Sequence, residues 1–276
     1  MSQADTAEAT LPPLLLVGCG KMGGAMLEGW LERGAREVVV VEPHAEATRP
    51  FSGRVTVCAD AATLPSGFHP AAIVLATKPQ QAEAALPAFG ALAGAGALVL
   101  SIMAGKTTTG VAAMLGGAAR VVRAMPNTPA AVRQGFTCAF AGPGVEPGQR
   151  DLADALLTAI GEVAWVEDEG LIDPVTAVSG GGPAYVFLLA ELLEQAAVEQ
   201  GLPPDLARRM ARRTVAGSGA LLAASDLDTA QLRRNVTSPK GTTEQALKVL
   251  MAPDAWPRAM SEAIAAATRR SRELAG

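Results

Sequence analysis

Short continuous runs of apolar residues alternate with segments of helical length through the first half of the chain. Such runs are typical of strands buried on both faces of a parallel sheet. They cover residues 14–18, 37–42, 71–77, 96–102, 120–125, 137–142 and 162–167. Helical segments are predicted at residues 22–33, 80–89, 108–115 and 150–160. This alternation predicts an α/β fold with a doubly wound sheet that carries helices on both faces.

The strand pattern stops after about Glu169, and only helical patterns follow. Helices are predicted at residues 184–200, 205–224, 229–235, 242–250 and 256–274. The first of them is apolar around much of its circumference, which is typical of a helix buried on more than one side. A small helical region does not bury such a helix alone, so we expect a second copy of the chain to pack there. The expected domains are residues 1–168, with residues 1–11 as a disordered tail, and an all-α dimerisation domain at residues 169–276.

Composition and charge disfavour several classes of protein. Hydrophobic residues make up 49% of the 276 residues, and the formal net charge of -4 disfavours a general nucleic-acid binder. We interpret an arginine cluster in the second C-terminal helix as a solvated face: Arg208, Arg209, Arg212 and Arg213. Three widely spaced cysteines and two histidines predict neither a disulfide framework nor a metal site. No secretory signal or uninterrupted apolar run of about 18 residues is found, so the expectation is a soluble, cytoplasmic protein without a membrane partner.

A glycine-rich turn follows the first predicted strand and begins the first predicted helix. Gly18, Gly20 and Gly23 form the pattern G-x-G-x-x-G in VGCGKMGGAM. The glycines permit a tight turn, a close approach of backbone to a pyrophosphate, and close packing of the helix on the strand. The helix N-terminus offers N–H groups to the phosphates. We expect a dinucleotide site on a Rossmann-type sheet, with Lys21 and Met22 within the turn; the alternative is a glycine-rich helix start without a ligand.

Glu42 ends the second predicted strand, 42 − 18 = 24 positions after the first glycine. An acidic side chain there accepts hydrogen bonds from the adenosine ribose and repels the 2′-phosphate of NADP, which favours NADH. Yet His44, Arg49 and Arg54 follow closely and would bind a phosphate if their loop folds over it. The cofactor choice between NADPH and NADH therefore stays open, and a solvated strand end is the alternative interpretation of Glu42.

The segment ATKPQ follows the third long apolar run, at the edge where such sheets bind ligands. Lys78 is expected to reach cofactor phosphate or ribose, and Pro79 to begin the next helix. An ordinary surface lysine is the alternative.

Five segments together resemble pyrroline-5-carboxylate reductase. In order they are VGCGKMGGAM, LATKPQ, RAMPNTPA, LIDPVTAVSGGGPAYVF and NVTSPKGTTEQAL, and the resemblance spans about residues 14–274. It implies the reduction of the cyclic imine 1-pyrroline-5-carboxylate to L-proline with NADPH or NADH, the last step of proline biosynthesis. It also implies a Rossmann domain followed by a helical domain that interlocks two subunits into a homodimer, and dimers that can assemble further.

The resemblance also implies the site residues. Ser238 and Thr243 would border the substrate, and backbone at Gly241, Thr242 and Thr243 would bind its carboxylate. The hydroxyl of Thr243 would face the ring nitrogen as the catalytic group, and Asn235 would lie near the nicotinamide. Glu169 matches a residue near the substrate. Three further positions match residues that contact the cofactor: Ala76, Lys78 and Ala104.

Alternatives accompany these assignments. Thr242 and Thr243 are also suited to capping a helix N-terminus, and Glu169 to the first turn of a helix. Lys240 stands where the family usually has glycine, so it is strained if that position needs a positive φ; Gly181 replaces the usual serine of SGSGPAY. The rival functions are another NAD(P)-dependent reductase of 3-hydroxyacid dehydrogenase-like architecture and a non-catalytic dinucleotide-binding protein.

Overall fold

Eight strands form one sheet in the computed structural model, which describes residues 11–275. They are β1 (Leu14–Val17), β2 (Val38–Val41), β3 (Thr56–Cys58), β4 (Ala72–Leu75), β5 (Leu98–Ser101), β6 (Arg120–Met125), β7 (Gly135–Ala141) and β8 (Gly161–Val166). Their order is β3-β2-β1-β4-β5-β6-β7-β8. The first six strands pair in parallel, β7 runs antiparallel to β6, and β8 is parallel to β7. The predicted Rossmann-type doubly wound sheet is confirmed.

The helices of the N-terminal half cover both faces of this sheet. They are α1 (Lys21–Glu32), α2 (Ala45–Thr48), α3 (Ala82–Ala85), α4 (Gly90–Gly94), α5 (Thr108–Met114), α6 (Pro147–Thr158) and α7 (Ile172–Val175). Alternate residues of β1 belong to two different core clusters: Leu14 and Leu16 pack with Trp30 of α1, and Leu15 and Val17 pack with Leu86. Residues buried on both faces explain why the strands are continuous apolar runs rather than alternating ones.

Two local predictions in this half are wrong. Strand β3 was not expected, because it is only three residues long and its burial pattern, exposed at Thr56 and Val57, lacks an apolar run. The helix expected at residues 80–89 is divided into short helical pieces, including α3, the 3-10 turn Leu86–Phe89 and α4. Pro87 explains the division, since proline removes a backbone donor and obstructs a continuous helix.

The C-terminal half is helical, as expected. Its helices are α8 (Gly182–Glu199), α9 (Pro204–Ala223), α10 (Thr229–Asn235), α11 (Thr242–Leu250) and α12 (Trp256–Ala275). The chain divides into two compact units; one comprises the described residues up to Gly180 and those from Thr268 on, and the other is Gly181–Ala267. This division falls later than the expected boundary at 168/169, because Ile172 and Ala177 are buried in the first unit. Of the expected tail, residues 1–10 lie outside the described residues, and Leu11 packs against the core.

Helix α8 has no buried residue within this chain. Its large apolar side chains are exposed, and Phe187 is 68% exposed. The helical segment Glu169–Glu199 is long and apolar enough to cross a membrane by length and composition alone, with a mean hydropathy of 1.3. Glu191 and Glu194 interrupt the apolar residues of this segment, so an uninterrupted apolar run does not predict it. Helix α8 therefore exposes a large apolar surface, which is typical of an interaction surface.

Candidate active site

The glycine turn after β1 is packed so closely that side chains are excluded at two of its three glycines. Gly18 has a φ of +91°, and a Cβ there would lie 2.8 Å from the carbonyl oxygen of Ala76. A Cβ at Gly23 would overlap the carbonyl oxygen of Gly18 and lie 3.2 Å from the Cβ of Ala76. A Cβ at Gly20 would meet nothing within 4 Å, so this part of the turn faces open space. The open cradle and the two crowded positions fit a dinucleotide pyrophosphate.

The N-terminus of α1 leaves its backbone donors available for a ligand. Its N-cap residue, Gly20, makes no side-chain cap, and no acidic residue lies in its first turn. The first N–H groups of a helix have no partner within the helix, and here they belong to Lys21, Met22 and Gly23. A partial positive charge at this end favours phosphate oxygens.

Glu42 joins the end of β2 to the glycine turn. Its carboxylate accepts a hydrogen bond from the backbone N–H of Cys19 at 2.8 Å and from that of His44 at 3.0 Å. The residue is only 9% exposed, so its interpretation as a solvated strand end is wrong. Burial, and then the charge of Glu42, raise the pKa of the Cys19 thiol to about 11. The thiol therefore stays protonated at neutral pH, and it adds no second anion beside Glu42.

Four further residues that are expected to contact the cofactor follow parallel strands at the same edge of the sheet: Ala76, Lys78, Pro79 and Ala104. Ala76 follows β4, where its N–H donates to the carbonyl oxygen of Val17 at 2.8 Å. Lys78 is exposed and precedes the 3-10 turn that begins with Pro79. Ala104 follows β5. The strands β2, β1, β4 and β5 are neighbours, so the residues after them share the edge at which open parallel sheets bind nucleotides.

The second group of expected site residues lies in the helical unit, on the turn that precedes α11. The N–H of Gly241 donates to the carbonyl oxygen of Ser238 at 3.0 Å, which closes a four-residue turn. Pro239 occupies its second position and Lys240, with a φ of 60°, its third. This combination is the pattern of a type II turn, which favours glycine in the third position. The N–H of Lys240 donates to the Glu244 carboxylate at 3.0 Å, so α11 holds the strained residue in place.

The two threonines that follow this turn do not cap the helix. The N-cap residue of α11 is Gly241, and no side chain caps it. Thr242 and Thr243 occupy the first two helical positions and are exposed, and among residues 11–275 no hydrogen-bond partner of their hydroxyls is found. The interpretation of these threonines as capping residues is therefore wrong. Asn235 ends α10 and accepts a hydrogen bond from Gln231 at 2.7 Å.

We expect Lys240→Gly to raise the free energy of unfolding by about 1 kcal/mol, because a left-handed conformation costs a residue with a Cβ about that much. Urea denaturation measures the change. Lys248→Gly is the matched control, since Lys248 lies within α11 and the same replacement there should cost about 1 kcal/mol. Destabilisation by both replacements would contradict the assignment of strain to Lys240.

Glu169 lies in the first compact unit and belongs to a network of partly buried charges. One oxygen of its carboxylate accepts from the backbone N–H of Thr108 at 2.8 Å, and the other from the Thr108 hydroxyl at 2.9 Å. Arg123 donates to the first oxygen at 3.3 Å, and it also lies 3.7 Å from Asp173. Asp173 accepts from the Ser271 hydroxyl at 2.7 Å. Glu169 thus holds the start of α5, and a contact of its carboxylate with substrate stays a prediction.

The structure also brings together two of the segments that carry the family resemblance, although their spacing does not predict a contact. Asn127 of RAMPNTPA donates its side-chain amide to the Ser179 hydroxyl at 3.2 Å and accepts from the N–H of Phe136 at 2.9 Å. Ser179 lies in a π-helical turn, Thr176–Gly180. Such turns are frequent at functional sites. Both motifs are visible in the sequence, but nothing in the sequence indicates that they contact each other.

Comparisons with known proteins cover nearly the whole chain. The family model described as pyrroline-5-carboxylate reductase dimerisation matches residues 169–274, and the model described as NADP oxidoreductase coenzyme F420-dependent matches residues 14–105. The pyrroline-5-carboxylate reductase of Pseudomonas aeruginosa is 36% identical over 96% of this chain and 97% of its own length. The enzyme of Synechocystis is 37% identical over 91% of this chain and 96% of its own.

Solved structures agree with these matches. A pyrroline-5-carboxylate reductase from Coxiella burnetii is 34% identical, with a TM-score of 0.88, covering 96% of this chain and 99% of that one. A pyrroline carboxylate reductase from Plasmodium falciparum with NADP bound is 26% identical, with a TM-score of 0.83, covering 97% of this chain and 99% of that one. This chain is a member of the pyrroline-5-carboxylate reductase family.

Proposed function

We propose that the protein reduces 1-pyrroline-5-carboxylate to L-proline, with NADPH or NADH as the hydride donor, in the last step of proline biosynthesis. The observation that carries the proposal is similarity over nearly the full length of curated reductases, 36% identity across 96% of this chain. The cradle at Gly18, Gly20 and Gly23 fits the required dinucleotide. The rival reductases and a non-catalytic role have no comparable support.

The residues in the dinucleotide half would bind and orient the cofactor. Amides of the first turn of α1 would hold the pyrophosphate, while Glu42 would accept hydrogen bonds from the adenosine ribose. When bound, the nicotinamide supplies a hydride for the imine carbon. Ala76, Lys78, Pro79 and Ala104 follow strands at the same edge, and we assign them to cofactor contacts.

The turn before α11 would bind the substrate. The N–H groups of Thr242 and Thr243 begin a helix, which favours a carboxylate, while the N–H of Gly241 closes the turn and shapes the backbone beside it. Ser238 closes the turn, and we assign it and Glu169 to the border of the substrate and Asn235 to the nicotinamide side. A cyclic imine is basic enough to arrive protonated, so the site needs no strong acid. The Thr243 hydroxyl would orient the protonated nitrogen, and positioning would supply much of the catalysis.

We expect Thr243→Ala to lower turnover by about 10- to 100-fold, since it removes one positioned polar group from the reacting nitrogen. Oxidation of NADH and NADPH with the imine, followed by absorbance, measures the effect. Thr243→Ser should retain most of the activity because it keeps the hydroxyl. Thr229→Ala is the matched control, since Thr229 is exposed in the first position of α10, and it should have no effect. Unchanged kcat and KM in Thr243→Ala would remove Thr243 from the mechanism.

The same assay separates the function from its rivals. Oxidation of either cofactor with the imine supports the proposal, whereas cofactor binding without turnover would indicate a non-catalytic protein. Turnover with 3-hydroxyacids and NAD(P)⁺ but not with the imine would favour the other reductase class.

We infer a homodimer through the C-terminal helices, and dimers that can assemble further. The dimerisation model matches residues 169–274, and the apolar face of α8 is uncovered within one chain. A partner helix on this face accounts for the hydropathy of the segment Glu169–Glu199 without a membrane. The proposal also places the enzyme in the cytoplasm as a soluble protein, where its three buried cysteines would stay free thiols.

A further inference from the structure

We propose that Glu42 makes this protein select NADH over NADPH. The inference rests on the proposed function, because it concerns the cofactor that the reductase uses. The sequence leaves the choice open between a carboxylate that repels a 2′-phosphate and three basic residues that would attract one. The structure assigns different partners to that carboxylate and to two of those basic residues.

The Glu42 carboxylate is fixed where an adenosine ribose is expected. Its two oxygens each accept one backbone N–H, from Cys19 at 2.8 Å and from His44 at 3.0 Å. The first of these donors belongs to the glycine turn itself, so a hydrogen bond links the carboxylate directly to the phosphate cradle. A carboxylate accepts about four hydrogen bonds, which leaves two for the 2′- and 3′-hydroxyls of the ribose. Glu42 is only 9% exposed, and two hydrogen bonds hold its carboxylate, so the side chain is not free to move away from a phosphate.

Two of the three basic residues that would compensate a 2′-phosphate contact carboxylates in the structure. Arg54 donates to both carboxylate oxygens of Glu28, at 3.1 and 2.9 Å. Arg49 lies 3.0 Å from the carboxylate of Glu46 in an exposed pair that water solvates, so it is held less firmly than Arg54. An arginine that accommodates the 2′-phosphate of NADP presents its fork to the phosphate oxygens, whereas Arg54 presents its fork to the Glu28 carboxylate. Of the three candidates, only His44 has a side chain without an ion pair among residues 11–275.

The test measures binding separately from turnover. Calorimetric titration with NAD⁺ and NADP⁺, without imine, should give affinity about 100-fold higher for NAD⁺, the effect of placing like charges together in a buried site. The ratio of kcat/KM for NADH and NADPH should agree. Equal affinity for both, or tighter binding of NADP⁺, would overturn the inference.

Two variants assign the effect to the Glu42 charge. Glu42→Gln removes the charge but keeps an acceptor for the Cys19 N–H. We expect it to lower the ratio of NAD⁺ affinity to NADP⁺ affinity by at least about tenfold. Glu37→Gln is the matched control: it makes the same charge change on the exposed residue at the other end of β2, and it should leave the ratio unchanged. An unchanged ratio in Glu42→Gln would overturn the assignment. If neither cofactor is oxidised with the imine, the proposed function fails. The ratio of the NAD⁺ and NADP⁺ affinities still tests the selectivity in that case.

Discussion

Replacing Arg123 by methionine should lower the free energy of unfolding by about 3–5 kcal/mol. The guanidinium side chain is 4% exposed and lies between two carboxylates, 3.3 Å from Glu169 and 3.7 Å from Asp173. Its removal leaves two poorly solvated negative charges without their cation. The loss should also release the start of α5, because Glu169 holds Thr108 there through two hydrogen bonds. Urea denaturation measures the change.

Arg120 provides the matched control on the same strand. It pairs with Glu146 at 3.0 Å, but their side chains are 40% and 61% exposed. Water solvates both charges in the folded and unfolded chain, so Arg120→Met should cost no more than about 1 kcal/mol. Equal losses from the two replacements would show that burial does not determine the contribution of Arg123. Each variant should be compared at the same salt concentration, because salt screens the exposed pair more strongly.

The sheet could be predicted from the sequence because its strands are buried on both faces. A strand such as Leu14–Val17 must be apolar at every position, and a continuous run of apolar residues is visible without knowledge of its neighbours. Strand Thr56–Cys58 lies at the sheet edge, and its exposed positions carry no such pattern. The prediction of one helix at residues 80–89 was wrong for another reason. Apolar spacing indicates a helix, but it does not show that Pro87 divides the segment into short pieces between Ala82 and Gly94.

The residues of the candidate site also differ in how far the sequence predicts them. The glycine turn and Glu42 can be recognised from a short stretch of sequence, because the residue types at these positions indicate the local conformation. The network of Arg123 is not local, because Glu169 is 46 positions from Arg123 and 61 from Thr108. No spacing rule connects such residues, so the sequence could suggest an acidic residue at 169 but not its partners. Lys240 lies between these cases: the sequence predicts strain there only if φ is positive, and the structure supplies the value of 60°.

Two adjacent glycines in α1 allow the dinucleotide cradle to be tested with a single methyl group. A Cβ at Gly23 would overlap the carbonyl oxygen of Gly18, which belongs to the turn that positions the helix amides. Backbone cannot yield as the end of a flexible side chain can, so the helix must move away from β1 and carry its N–H groups with it. At Gly24 the nearest atoms are those of the Phe51 ring at 3.7 Å, which is ordinary contact.

We therefore expect Gly23→Ala to lower kcat/KM by about 100-fold, the loss that follows when binding groups move by about 1 Å. The affinity for NADH, measured by calorimetric titration, should fall in parallel, because the displaced amides bind the pyrophosphate. Gly24→Ala should leave both quantities unchanged and raise the free energy of unfolding by about 1 kcal/mol, since alanine favours a helix interior over glycine. Unaltered NADH affinity in Gly23→Ala would mean that the glycine turn does not bind the pyrophosphate. Equal losses in both variants would instead indicate that α1 tolerates no added methyl group and that the cradle is not specifically at Gly23.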